Sequence, residues 1–190
     1  MRRLLFRTIH DLALMLDRER CDREASPTAA ILDSQSIKAP CAAERGYDAG
    51  KKVCGRKRHI AVDTNGRLLM VRLTPADLSD SAGGQLILDA LRRSWPWPWP
   101  WLRHLFADSA YDRGRLMSKA AFLDFTLEVV HKLEGQQGFQ VLPRRWVVER
   151  SFGWLMRWRR LVRGYEAHID VSEAIAHAAM GSILLRRLNP

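Results

Sequence analysis

His59-Ile-Ala-Val-Asp-Thr-Asn-Gly-Arg-Leu-Leu-Met-Val-Arg-Leu73 holds two β-type apolar runs, 59–64 and 67–73, hinged on Asn65-Gly66. That dipeptide tolerates the positive φ of a tight hairpin turn, so two antiparallel strands are expected here. Upstream, Ala29-Ala-Ile-Leu-Asp-Ser34 is a short apolar run that reads as a buried strand. Downstream, 102–107 and 126–130 read as strands, separated from the hairpin and from each other by helices over 80–91, capped by Asp80-Ser81, and 113–125. Pro143 and Gly164 bracket a long helix, and Ser172 caps a final one. Residues 4–20 carry Leu4, Leu5, Ile9, Leu12 and Leu16 at helical spacing. Residues 39–58, polar, basic and glycine-containing, read as a loop. Strands first and alternation afterwards predict an α/β fold, a mixed sheet covered by helices.

A chain of 190 residues with 47% hydrophobic content suits one domain with a real core. Its net charge of +10 attracts polyanions, with nucleic acid the usual partner. No apolar run approaches the roughly 18 residues of a membrane span. Three scattered cysteines, Cys21, Cys41 and Cys54, make neither a disulfide scaffold nor a zinc ribbon and fit a reducing cytoplasm. The opening Met-Arg-Arg-Leu-Leu-Phe-Arg is broken by Arg7, His10 and Asp11, unlike an export signal. Ser94-Trp-Pro-Trp-Pro-Trp-Pro-Trp101 favours polyproline II geometry. It reads as a loop expansion, with base stacking by exposed tryptophans as the alternative.

Three acids are conspicuous. Asp33 follows Ile31-Leu32 in a buried strand, and Asp108 ends another. Glu149 is the only acid between Glu134 and Glu166, an interval holding seven arginines. Buried carboxylates are costly unless paired or metal-bound, and three converging from strand ends and a helix would suit Mg2+. The alternatives are a cap or Asx-turn at Asp108 and an Arg145–Glu149 ion pair. On the last long helix Val148, Phe152, Leu155 and Val162 should face the core. Arg145, Glu149, Gly153 and Arg157 form a neighbouring stripe, where Gly153 leaves room for a phosphate or for close helix packing. Lys51, Lys52, Arg56, Lys57 and Arg58 form a second basic cluster, expected to contact phosphates. His59 and His104 read as packing residues, and no phosphate-cradling glycine loop or nucleophile elbow occurs.

The motifs Ile31-Leu-Asp-Ser-Gln-Ser-Ile-Lys38, Gly46-Tyr-Asp-Ala-Gly-Lys-Lys52, Gly55-Arg-Lys-Arg-His59, Val62-Asp-Thr64, Phe106-Ala-Asp-Ser-Ala-Tyr111 and Arg145-Trp-Val-Val-Glu-Arg-Ser-Phe-Gly-Trp-Leu155 occur in this order. Together they resemble the DDE transposases of bacterial insertion sequences, the family-5 group, from about residue 28 to the C-terminus. The resemblance implies an RNase H-like domain over 28–190, with a five-stranded mixed sheet flanked by helices. It also implies cleavage and strand transfer at insertion-sequence ends, with Mg2+, or Mn2+ in its place, held by catalytic Asp33, Asp108 and Glu149. DNA contacts would come from Lys51, Lys52, Arg56, Lys57, Arg58, Arg145, Arg150 and Arg157. The expected partners are transposon-end and target DNA, a second copy of the chain on that DNA, and the product of an upstream reading frame. The expected location is the bacterial cytoplasm, at the nucleoid.

The sequence departs from the family pattern in three places. Leu142 replaces a tyrosine, Met156 a basic residue (with Arg157 beside it), and Ser109-Ala110 a Gly-Gly. Residues 1–27 read as a short helical segment, the remnant of or link to a missing DNA-binding region. A non-catalytic DNA-binding remnant or regulator of transposition is the alternative, and a nuclease acting on branched DNA a second.

Overall fold

A computed structural model describes residues 2–40, 42–93, 99–130 and 145–189. Helix α1 (Arg2–Glu19) precedes strands β1 (Ala29–Lys38), β2 (Gly46–Asp48), β3 (Val53–Asp63) and β4 (Leu68–Pro75). Helix α2 (Asp80–Arg93), strand β5 (His104–Ala107), helix α3 (Gly114–Phe122) and strand β6 (Thr126–Val129) follow. The described chain closes with α4 (Arg145–Met156) and α5 (Ile169–Leu188).

Six strands form one sheet: the order is β4-β3-β1-β5-β6, and short β2 pairs with the start of β3. β3 runs antiparallel to both β1 and β4, whereas β1, β5 and β6 are parallel. Strands β4, β1, β5 and β6 therefore point the same way and end at one edge. The five expected strands are all present. Residues 39–58, expected as loop, instead supply β2 and the first half of β3.

The hairpin forms for the expected local reason. Gly66 takes φ +81 and its N–H donates to the Asp63 carbonyl at 2.9 Å. The Asp63 carboxylate accepts the N–H groups of Asn65 (2.8 Å) and Arg67 (2.9 Å), holding the turn from inside.

Alternation along β1 sorts the two faces of the sheet. Ala30 and Leu32 pack with α2, α3 and the inner side of α1. Ile31 and Ile37 pack with Val147, Val148, Phe152 and Leu155 of α4 and with α5. Helix α1 forms over the apolar spacing read from the sequence, but its leucine-bearing side is not the buried one. His10, Ala13, Leu14, Asp17 and Arg18 are buried, while Leu5, Ile9, Leu12 and Leu16 face outward. The buried polar groups are paired: Arg67 donates to Asp17 (2.7 Å) and Arg18 to Asp63 (2.5 Å), which fastens α1 to the hairpin.

Two helix boundaries move. Helix α4 stops at Met156, so Val162 is 39% exposed and Leu161 takes the buried place. Helix α5 begins at Ile169 with His168 as cap, leaving Ser172 inside and buried. Trp99 is a core residue whose indole N–H donates to the Leu69 carbonyl at 3.3 Å, whereas Trp101 is exposed. Trp95 and Trp97, like Pro143 and Leu142, lie outside the described residues.

Candidate active site

Strands β1 and β5 pair in parallel as Ala29↔His104, Ala30↔Leu105 and Ile31↔Phe106. Carried on by two residues, this register sets Asp33 beside Asp108, on strands roughly 4.8 Å apart. Both continue the phase of Ile31 and Phe106, which is the face covered by α4. Asp33 is half-buried and its carboxylate accepts the Ser34 N–H at 2.7 Å. Asp108 caps a 3-10 turn over Ser109–Tyr111 and accepts the Ala110 N–H at 3.0 Å. The expected Asx-type cap is thus real. It occupies one carboxylate oxygen and is compatible with a second role.

Beneath this edge lies Tyr111, only 1% exposed. Burial, and then the negative charges of Asp33, Asp80 and Asp108, hold its phenol well above the usual range; Ser34 offsets this slightly. Three aspartates therefore concentrate negative charge around one neutral ring. Asp80, read from sequence only as a helix cap, sits on the α2 side. It accepts the Ser34 hydroxyl at 2.6 Å and meets Lys57 at 3.1 Å. Burial raises the Asp80 carboxyl, but those hydrogen bonds and the charges of Lys57 and Lys51 outweigh it and hold it below the ordinary range.

Glu149 lies on α4 and is exposed. The helix that carries it is anchored to the hairpin turn: Ser151 Oγ donates to the Gly66 carbonyl and Arg150 to the Asn65 carbonyl, each at 2.8 Å. Gly153, one turn on, is exposed with open space around a notional Cβ, and no helix among the described residues packs there. Among the described residues no group of three His, Cys, Asp or Glu side chains is gathered to hold a metal ion. As a donor set, paired Asp33 and Asp108 still suit a hard divalent cation, because both offer carboxylate oxygens from neighbouring rigid strands.

The basic cluster needs correction. Arg56, Lys57 and Arg58 are buried, at 0%, 6% and 1% exposure. Arg56 donates to the carbonyls of Glu44, Glu166 and Ala167, and Arg58 to Gln35 and the Leu161 carbonyl. Lys57 donates to the Leu78 carbonyl and pairs with Asp80 and Asp48. These are internal struts and cannot reach a phosphate. The reason is that β3 is paired along both edges and covered on both faces, which loop-like polarity conceals. Burial lowers the Arg58 guanidinium to about 10, still protonated at neutral pH.

Lys51 and Lys52 are exposed on the β2–β3 turn, and Arg157 is exposed beyond α4. Arg150 is half-buried, with its guanidinium 4.5 Å from the Trp146 ring and 4.9 Å from that of Trp154. With a donor on the Asn65 carbonyl as well, it is a packing residue and not an open DNA contact. The Arg145 side chain lies outside the described set.

A mixed sheet of this order, with Asp33 midway along β1 and Asp108 just past the end of its parallel neighbour β5, defines the class of RNase H-like domains. The catalytic core of BIV integrase superposes with a TM-score of 0.51 at 16% identity, over 86% of this chain and 97% of that one. The integrase assembly of simian T-cell lymphotropic virus, solved with a PP2A regulatory subunit, superposes at 0.52 and 14% identity, over 80% of this chain and 48% of that one. Residues 24–184 match the family model described as the transposase DDE domain. A Burkholderia cepacia protein named as a transposase for insertion sequence element IS402 is 32% identical over 150 residues, 76% of this chain and 68% of that protein. The chain belongs to the DDE transposase family of bacterial insertion sequences.

Proposed function

We propose that this chain cleaves DNA at the ends of an insertion sequence and joins the freed 3′-hydroxyl to target DNA, with Asp33, Asp108 and Glu149 as its catalytic acids. The observation that most supports this reading is the parallel register of β1 and β5, which, carried on by two residues, sets Asp33 beside Asp108. Asp33 and Asp108 would hold a divalent cation, with Glu149 completing the set from α4. Mg2+ or Mn2+ bound there supplies Lewis-acid polarisation of the phosphodiester oxygens. The two aspartates fix oxygen donors on rigid strands, and their backbone N–H partners hold the carboxylates oriented. Glu149 is exposed on a helix anchored through Ser151, on the side where DNA would lie against α4. Lys51, Lys52, Arg145 and Arg157 bind backbone phosphates without reading bases. Two copies would hold two element ends, in the bacterial cytoplasm and alongside any upstream reading-frame product.

The test is nicking of a supercoiled plasmid in Mg2+ by wild type, Asp33→Asn, Asp108→Asn and Glu149→Gln. Each substitution is expected to lower the rate at least about 1,000-fold, as loss of an essential group does, while salt-sensitive DNA binding persists. Undiminished nicking by Asp33→Asn removes the assignment. A second reading, a DNA-binding regulator without cleavage, is favoured by the exposure of Glu149. It predicts that wild type binds DNA yet nicks nothing under any divalent cation.

A further inference from the structure

The strand directions bring a second feature to the edge that carries Asp33 and Asp108. There β4 leads into α2, and β5 leads through the 3-10 turn into α3. The two helix N-termini open side by side on the sheet face opposite α4. Between them lies a cleft of about 360 Å3, walled by Ser79, Ser81 and Gln85 at the head of α2 and by Arg113, Gly114 and Arg115 at the head of α3. Crevices outside the carboxyl ends of parallel strands are where α/β sheets bind ligands.

Three observations give the cleft its chemistry. First, α3 starts without the usual polar cap: its cap residue is Arg113, which makes no side-chain capping hydrogen bond, and its first turn has no acid. The Arg113 carbonyl receives the N–H groups of Leu116 and Met117, so those of Gly114 and Arg115 are the orphan donors of the helix start. Second, Ser81 lines the cleft at 7% exposure. Third, two arginines, Arg113 and Arg115, stand exposed at the rim. The nearest acid on α2, Asp80, is engaged by Ser34 and Lys57, and Asp112 is exposed just before Arg113. A helix start that lacks a cap and carries arginines suits a doubly coordinated anion.

We infer that this cleft binds a backbone phosphate of the DNA strand after it has crossed the acids from the α4 side, with Arg113, Arg115 and Ser81 as positioning residues. This rests on the reading of the chain as a DNA-cutting transposase. Lys51, Lys52 and Arg157 would grip DNA elsewhere on the surface. The α2–α3 cleft would fix the strand on the opposite side of the candidate catalytic aspartates, so that the scissile bond is held from two directions.

The experiment measures binding of a labelled DNA duplex across a salt series, without divalent cation, for wild type and variants. The double variant Arg113→Ala/Arg115→Ala is expected to bind about 10-fold or more weakly, with a log K against log salt slope smaller by about 1–2. Arg186→Ala, which removes an exposed arginine from α5, is the charge control and should leave the slope near wild type. Gly114→Asp adds a carboxylate where its Cβ meets open space. It is expected to keep or raise the melting temperature, because an acid suits a helix start, while weakening DNA binding. A double variant with a wild-type slope, or one matched by Arg186→Ala, overturns the cleft proposal. So does Gly114→Asp with undiminished affinity. A wild-type chain that binds no duplex overturns the transposase reading itself, and the cleft proposal with it.

Discussion

Arg56 shows how a surface-like residue type becomes part of a core. Its guanidinium makes contacts of 2.7–2.8 Å to the carbonyls of Glu44, Glu166 and Ala167, tying the loop before β2 and the segment before α5 onto β3. Arg56→Ala strands those acceptors and is expected to cost about 2–4 kcal/mol, read as a lower urea midpoint. The folded fraction should bind DNA with the wild-type salt dependence. Two histidines set a pH dependence of stability. The His59 ring seats against Gly83, where a Cβ would fall 2.0 Å from it, and its Nε2 lies 3.0 Å from Thr74 Oγ1. Burial drives its pKa down to about 4; Asp80 opposes this and Lys57 and Lys51 add to it. Burial, and then neighbouring His10, bring His177 to about 3. Both histidines are neutral when folded and protonate near 6.5 when unfolded, so the unfolded chain binds more protons below that pH. Stability is therefore full above about pH 6.5 and falls toward pH 4, by about 3 kcal/mol for His59. Urea midpoints are expected to drop steadily from about pH 7 to about pH 5, and His177→Leu should flatten the curve. An identical slope in that variant would remove His177 from the account.

The hairpin turn and α4 form one mechanical unit. Gly66 supplies the positive φ, and a side chain there would bring Cβ within 2.8 Å of Ser151 Oγ, which is the hydroxyl holding α4 down. Gly66→Ala combines backbone strain with loss of that contact, about 2–3 kcal/mol together. Hydrogen exchange should then show α4 amides losing protection before those of β3. Equal loss everywhere would mean that the turn does not specifically secure the helix. Helix α1 depends on a different element-level device. Asp17 and Asp63 are fully buried against Arg67 and Arg18, so Asp63→Asn leaves charge uncompensated, at about 3–5 kcal/mol. Thermal unfolding should show the loss, with α1 the first element to detach. The same pairing explains why the leucine-bearing face of α1 points outward, since the charges of Asp17 and Arg18 meet Arg67 and Asp63 on the inner side, with Arg187 of α5 adding a further contact to Asp17.

For the molecule as a whole, the net charge of +10 and the edge shared by Asp33, Asp108 and the α2–α3 cleft imply separable behaviours. Chelating divalent cations is expected to abolish nicking but leave DNA binding, which the proposed function and the proposed cleft assign to exposed Lys51, Lys52, Arg113, Arg115 and Arg157. Binding that disappeared with the cation would show instead that the metal bridges protein and DNA. Much of this architecture was legible in local pattern. The Asn65-Gly66 turn, the apolar runs at 29–34 and 102–107 and the amphipathic spacing of α4 all follow from residues within one or two turns of each other. Candidate acids could be picked out because carboxylates at the ends of apolar runs are anomalous. That Asp33 stands beside Asp108 depends on a strand pairing across 75 residues, the constant offset of the Ile31↔Phe106 register. That Arg56 and Arg58 are internal depends on β3 being paired along both edges, and the phosphate cleft on two helices brought together by parallel strands. Periodicity is written by neighbours along the chain, so composition and spacing revealed the elements and the family. Burial and adjacency are set by partners far away in sequence, so which charges lie open to solvent and which hold the fold together emerged only from the assembled sheet.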